Sequence, residues 1–293
     1  MTKSQVVPNP TDVLSAIEEW RNLDLRKENK DIIQKEFERV FFDVIQWAPL
    51  QNIKGHQAYY RIRKHDKTWE NENELWAPSE SIARKNRCNF DGEPMLYVSP
   101  KASTCFEELG IEAGRQVYII KYRKRPDIPL KLRRLFSKEA DPKDLSGVSV
   151  HCGDELIAAQ ILREFIRSEF MKPFCKNRKC KGTDFIYDFT ASICSFMTMQ
   201  QNDLDGFIYP SVVQQKNENV AFFSEGIREK LEIDGVRIVK LIPEDEWYAD
   251  PRVDAKIWRP ILRGKTHFLR SCFKAETSGE QISWFPCSDL GAF

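Results

Sequence analysis

The stretch "DLDGFIYPSVV", Asp203–Val213, decides how the chain is read. Asp205-Gly206 is a turn signal, and Phe207, Ile208 and Tyr209 continue as a short buried strand. Pro210 follows at once. Proline has no N–H for a sheet ladder, so it belongs at a strand edge or end. The strand therefore stops, and what it presents next is Ser211.

Outward from this strand, helix and strand patterns mix. Upstream, "DFTASICSFMTM" (188–199) and "DELIAAQILREFIRSEFM" (154–171) read as helices, and 129–200 as a whole carries a helical pattern. Downstream come a strand "NVAFF" (219–223), a short helix "EGIREKL" (225–231), a strand "GVRIVKLI" (235–242) and a hairpin around Arg263-Gly264-Lys265. At the start, Asn9 before Pro10 is a helix cap signal, and Val13, Ile17 and Trp20 repeat at helical spacing. Ile33, Phe37, Val40, Phe41, Val44 and Ile45 mark one face of a second helix. Between these regions, "AYYRIRK" (58–64), "PMLYVS" (94–99) and "QVYIIKYR" (116–123) read as strands. Ser99-Pro100 is expected to start a helix that Gly110 stops. Without regular βαβ alternation the class is α+β. Residues 1–50 form an N-terminal helical region, and 51–293 the remaining domain.

Composition excludes several roles. Lys+Arg 45 against Asp+Glu 44 leaves net +1, which gives no electrostatic reason for a nucleic-acid or anionic-membrane partner. Nothing approaches the ~20 apolar residues of a membrane span. "MTKSQVVPNPTD" lacks the apolar core of a signal peptide, so a cytoplasmic location is expected. The eight cysteines then read as free thiols. Cys175 and Cys180 supply at most half of a zinc site, so no metal is expected. The four histidines form no cluster, and there is no phosphate-cradling glycine loop. Any chemistry must run on arginine, glutamate, tyrosine and serine.

Those residues occur in separated groups. Arg61 and Arg63 alternate on one strand face; solvated they are surface charges, and in a cleft they form a fork for phosphate or carboxylate. Arg87 and Asn89 precede a turn at Asp91-Gly92, and Tyr97 follows on a strand; by spacing alone this is a hairpin with a polar tip and a core tyrosine. Glu107 and Glu108 are adjacent on a helix, so only one can face inward.

In order, these pieces resemble the RES domain family. An aromatic-Arg strand precedes an Arg-x-Asn turn, Gly-x-Pro and an apolar strand ending in tyrosine. Glutamate follows eleven residues after that tyrosine, and Asp-Gly-Phe-Ile-Tyr-Pro-Ser and Asn-Val-Ala-Phe-Phe come downstream. The resemblance covers about residues 57–225. Residue by residue it assigns the family arginine to Arg61, with Arg63 its rival, the second arginine to Arg87, the tyrosine to Tyr97, the glutamate to Glu108 and the serine to Ser211. Asn86 stands where the family usually has glycine, and Cys88 follows the second arginine.

The resemblance implies an ADP-ribosyltransferase-like mixed sheet core and a toxin of the kind that destroys NAD. NAD is then substrate, not cofactor. Cleaving the nicotinamide–ribose bond passes through an oxocarbenium-like state, which a carboxylate such as Glu108 favours. Arg61, Arg63 and Arg87 can bind the diphosphate, Tyr97 can stack on nicotinamide, and Ser211 can hydrogen-bond the substrate or orient Glu108. Pro210 is then expected to turn Ser211 toward that cleft. The implied partner is a small antitoxin with a helix-turn-helix domain; self-association into a homodimer stays open. Water, phosphate or a protein as acceptor also stay open, the last making the chain an ADP-ribosyltransferase. A catalytically inactive NAD-binding or interaction module is the non-enzymatic alternative.

Overall fold

In a computed structural model, the residues described are 9–25, 28–45, 51–54, 58–112, 114–135, 153–172, 187–200, 203–213, 216–243, 261–262, 265–278 and 281–286. In chain order they form α1 (Pro10–Asn22), α2 (Lys30–Ile45), β1 (Gln51–Lys54), β2 (Ala58–Lys64), β3 (Met95–Val98), α3 (Ala102–Leu109), β4 (Gln116–Lys124), β5 (Lys131–Arg134), α4 (Gly153–Phe170), α5 (Asp188–Gln200), β6 (Gly206–Pro210), β7 (Glu218–Phe223), α6 (Ile227–Lys230), β8 (Leu231–Pro243), β9 (Ile261–Leu262), β10 (Lys265–Ser278) and β11 (Gln281–Pro286). The class is α+β, as the mixed patterning predicts. The chain divides into two compact units, Met1–Ile53 with Ser79–Pro94 and Lys131–Val212, and Lys54–Pro78 with Met95–Leu130 and Val213–Phe293.

The first unit is built on helices. Asn9 caps α1: its side chain accepts from Asp12 N–H, Asp12 answers the Asn9 N–H, and Pro10 stands in the first turn. Val13, Ile17 and Trp20 are buried, as are Ile33, Phe37, Val40 and Phe41 of α2. Trp20, Phe37, Phe41, Phe165 and Phe189 bring α1, α2, α4 and α5 to one aromatic core, with ring centroids from 4.7 Å (Phe165–Phe189) to 5.9 Å (Trp20–Phe37). Most of these pairs meet edge to face, the arrangement the ring quadrupole favours. Beside the helices, β6 runs parallel to β5 with Leu132 opposite Gly206 and Arg134 opposite Ile208. The helical reading of 129–200 is therefore corrected at 131–134, where a strand stands. That strand is made by its neighbour: β6 is buried along its whole length and needs a partner for its backbone groups. Pro210 is the last residue of β6, where a missing N–H costs the ladder least.

The second unit is built on a sheet. Its strands run in the order β11-β10-β8-β4-β2, every pair antiparallel, with β9 on β10. The β9–β10 pair, Leu262 opposite Lys265, flanks the expected hairpin turn. A second antiparallel pair joins β3 to β7 with Tyr97 opposite Ala221. On one face of the large sheet, Ile62, Val117, Ile119, Val239 and Leu241 pack against Phe106 of α3 and Ile111. Each such side chain contributes about 1.5–3 kcal/mol on burial. The opposite face carries Tyr118 and Tyr122, with Trp69 stacked on Tyr118 at 3.8 Å and Trp76 beside Tyr122 at 5.4 Å. α3 itself begins at Ala102, two residues later than the Ser99-Pro100 signal implies. The reason is visible at Ser99, whose N–H and C=O are both bonded to the Tyr60 backbone (2.9 and 2.8 Å), which holds it in strand pairing. Gly110 closes α3 in the left-handed conformation, φ 57°, as its position predicts.

Candidate functional site

Alternation along β2 puts Arg61 and Arg63 on the face away from Ile62 and α3, yet their surroundings differ. Arg61 pairs with Ile120 in mid-strand and is buried, 8% exposed. Its Nη1 donates to the carbonyls of Leu75 (3.3 Å) and Trp76. The surface-charge reading is thus corrected for Arg61 and holds for Arg63, which is exposed and stands 5.9 Å over the Trp69 ring. Tyr122, across from Tyr59, lies in the same pocket and donates to the Leu75 carbonyl. Burial pushes its phenol up to about 12, against the pull of the Arg61 charge.

Glu108 sits in the last turn of α3 in the same unit, half-buried. Its Oε1 accepts from Asn219 Nδ2 at 2.6 Å. Asn219 belongs to β7 and is 4% exposed. Glu107 is also half-buried, so burial alone does not separate the two glutamates; the bond to Asn219 does. Cys105, one turn before Glu108 on α3, donates its Sγ–H to the Tyr60 carbonyl at 3.2 Å. Burial pushes this thiol up, the Glu108 carboxylate adds to that, and the Arg61 guanidinium pulls it back. Tyr97 is half-buried on β3.

Two of the sequence-assigned residues belong to the first unit. Arg87 lies in a tight turn closed by reciprocal backbone bonds between Asn86 and Asn89, at 3.0 and 3.4 Å. Its guanidinium donates to the carbonyls of Phe170 (2.6 Å) and Lys172 (2.8 Å) and stands 5.0 Å over the Tyr187 ring. Phe170 ends α4, so Arg87 caps a helix C-terminus, where a positive charge is favoured. Ser211 is fully buried directly after β6.

The sequence model of the RES domain matches residues 58–240, from the first residue of β2 into β8. The chain belongs to the RES domain family. The matched span holds Arg61, Arg63, Arg87, Tyr97, Glu108 and Ser211. No curated protein matches the chain. Among the described residues no three or more His, Cys, Asp or Glu are grouped to hold a metal ion, and no helix is long and apolar enough to cross a membrane. Cys175 and Cys180 lie outside the described residues; Cys88, Cys105 and Cys194 form no disulfide.

Within the RES domain, sequence reasoning missed the asparagines. Asn217 and Asn219 are both buried, and both reach α3, at Thr104 (2.9 Å) and Glu108. The signal was present as two asparagines at alternate positions opening an apolar strand, hence on one face.

Proposed function

We propose that this RES-domain chain consumes NAD by cleaving the nicotinamide–ribose bond, with water or inorganic phosphate as acceptor. With water, NAD⁺ and H₂O give nicotinamide, ADP-ribose and a proton. With phosphate, the second product is ADP-ribose 1-phosphate. The observation that carries the reading is the carboxylate of Glu108, held by a buried donor in the unit that also buries the Arg61 guanidinium.

Nicotinamide leaves neutral from a cationic ring, so no acid need protonate it. The task is to stabilise positive charge growing on the ribose. Glu108 serves this electrostatically and by accepting from a ribose hydroxyl. Arg61 takes the diphosphate and Tyr97 stacks on nicotinamide. The family likeness extends the reading to a growth-inhibiting toxin restrained by a helix-turn-helix antitoxin.

The test is turnover. Purified protein incubated with NAD, with and without phosphate, should release nicotinamide in step with NAD loss. Glu108→Gln should slow this by about a hundredfold or more. A folded wild-type chain that leaves NAD intact through long incubation overturns the proposal, whatever it binds.

A further inference from the structure

We infer that Asn219 is a positioning residue for Glu108, and that Asn217 and Asn219 together clamp α3 at its two ends so that the carboxylate is offered in one orientation. The catalytic part of this inference rests on the NAD-cleavage reading above. The clamp is explicit in the hydrogen bonds. Asn217 Nδ2 donates to Thr104 Oγ1 at 2.9 Å, and Lys101 Nζ, at the start of α3, donates to Asn217 Oδ1 at 2.9 Å. Ser99 Oγ donates to the Glu218 carbonyl at 2.8 Å. Asn219 Nδ2 donates to Glu108 Oε1 at 2.6 Å. Each of three consecutive residues is therefore bonded to the segment that enters or forms α3.

Three physical points give the clamp its role. First, α3 has only eight residues, well under the ~12–15 at which an isolated helix is even marginal in water. Glu108 lies in its last turn, where fraying begins, so its direction must be set from outside the helix. Second, a carboxylate only accepts. The Asn219 amide must turn its nitrogen to Glu108, so the bond has one polarity and fixes one carboxylate oxygen. Third, Asn219 is 4% exposed and Thr104 is 0% exposed. Losing the Glu108 carboxylate therefore takes from the buried Asn219 amide an acceptor that water does not readily replace. Electrostatic catalysis depends on such fixed geometry, and a displacement of about 1 Å can cost roughly a hundredfold in rate.

The experiment compares wild type, Asn219→Ala, Asn219→Asp, Thr104→Val and Glu108→Gln in the full chain. Nicotinamide release gives kcat and KM, and amide hydrogen exchange follows residues 105–110. Asn219→Ala should lower kcat about 10–100-fold with KM for NAD within about threefold, and should add nothing in the Glu108→Gln background. Asn219→Asp matches the native side chain in shape but sets an acceptor against a carboxylate. It should lose at least as much kcat as Asn219→Ala, whereas a space-filling role predicts near-native rates. Thr104→Val should lower Tm more than kcat. Native kcat in both Asn219 variants of an active enzyme overturns the inference. If wild type itself leaves NAD intact, the functional reading falls and exchange decides the clamp. Amides 105–110 exchanging about tenfold faster in Asn219→Ala sustain it, and unchanged exchange refutes it.

Discussion

Replacing Arg61 by lysine should destabilise the protein, while the same change two residues on, at Arg63, should not. Both arginines stand on one face of β2, so the difference comes from what covers them. The Leu75 carbonyl accepts from both Arg61 Nη1 and Tyr122 OH and would keep one donor. The Trp76 carbonyl accepts from Arg61 Nη1 and would lose the side-chain donor it has among the described residues. A buried group left unsatisfied costs about 1–3 kcal/mol, and a lysine ammonium cannot reproduce the planar fork. Arg63→Lys keeps a cation on an exposed stem over Trp69, and surface changes of that kind stay within about 0.5 kcal/mol. Urea unfolding measures both. The Arg61→Lys midpoint should fall with the slope unchanged, and Tm should drop by about 2–10 °C. Turnover gives a second arm: on the proposed reading, in which Arg61 binds the diphosphate, Arg61→Lys should also raise KM for NAD. A wild-type midpoint for Arg61→Lys, or a larger loss at Arg63, would refute the assignment of Arg61 as the buried member of the pair.

Two further outcomes follow from buried groups. The Tyr122 phenol is held near 12 in the fold against an ordinary value near 10, so its contribution is complete below about pH 10 and is lost as pH rises through about 12. Relative to Tyr122→Phe, wild type should lose about 3 kcal/mol over that window in urea titrations; parallel curves would contradict the burial. Asp188 opens α5 with a 4% exposed side chain and meets Lys85 Nζ at 2.7 Å. Asp188→Asn leaves Lys85 short of its counter-charge and should cost about 3 kcal/mol, nearly the same in 1 M salt because the pair is shielded from solvent. A loss that vanishes in high salt would mean the pair is solvated.

Much of this was legible because local signals and tertiary context agree. Asn9-Pro10 caps α1, the Ile33–Phe37–Phe41 stripe faces the core, and "AYYRIRK" is a strand over the residues its alternation predicts. The failures share a cause: one partner in each interaction is remote in sequence. "KLRR" is a strand because β6 lies beside it, and its four residues bury only Leu132. Ser99 does not open α3 because its backbone N–H and C=O are taken by Tyr60, on a strand remote in sequence. The local mark of Asn219 is only its alternation with Asn217, and the glutamate it bonds lies 111 residues upstream. Periodicity reports which face of an element is buried. It says nothing about which polar groups meet there.

The buried arginines Arg61 and Arg87 raise the same question from the side of structure. Each holds backbone: Arg61 the Leu75–Trp76 turn, Arg87 the end of α4. That is sufficient to explain their burial without any ligand. It does not exhaust them, because a guanidinium has five N–H donors in a fixed fork. The bonds of Arg61 to the Leu75 and Trp76 carbonyls run through Nη1, and the Tyr122 phenol also stands against the guanidinium. A guanidinium already immobilised by two carbonyls loses little further freedom when it meets a phosphate, so this anchoring makes recognition stronger. On the proposed reading, the structural role of Arg61 and its binding of the diphosphate are therefore coupled. A methionine there, which keeps the stem and removes every donor, should lower stability and NAD affinity together, whereas Glu108→Gln should lower kcat and leave the unfolding midpoint nearly unchanged. Stability and affinity moving independently at Arg61 would break that coupling.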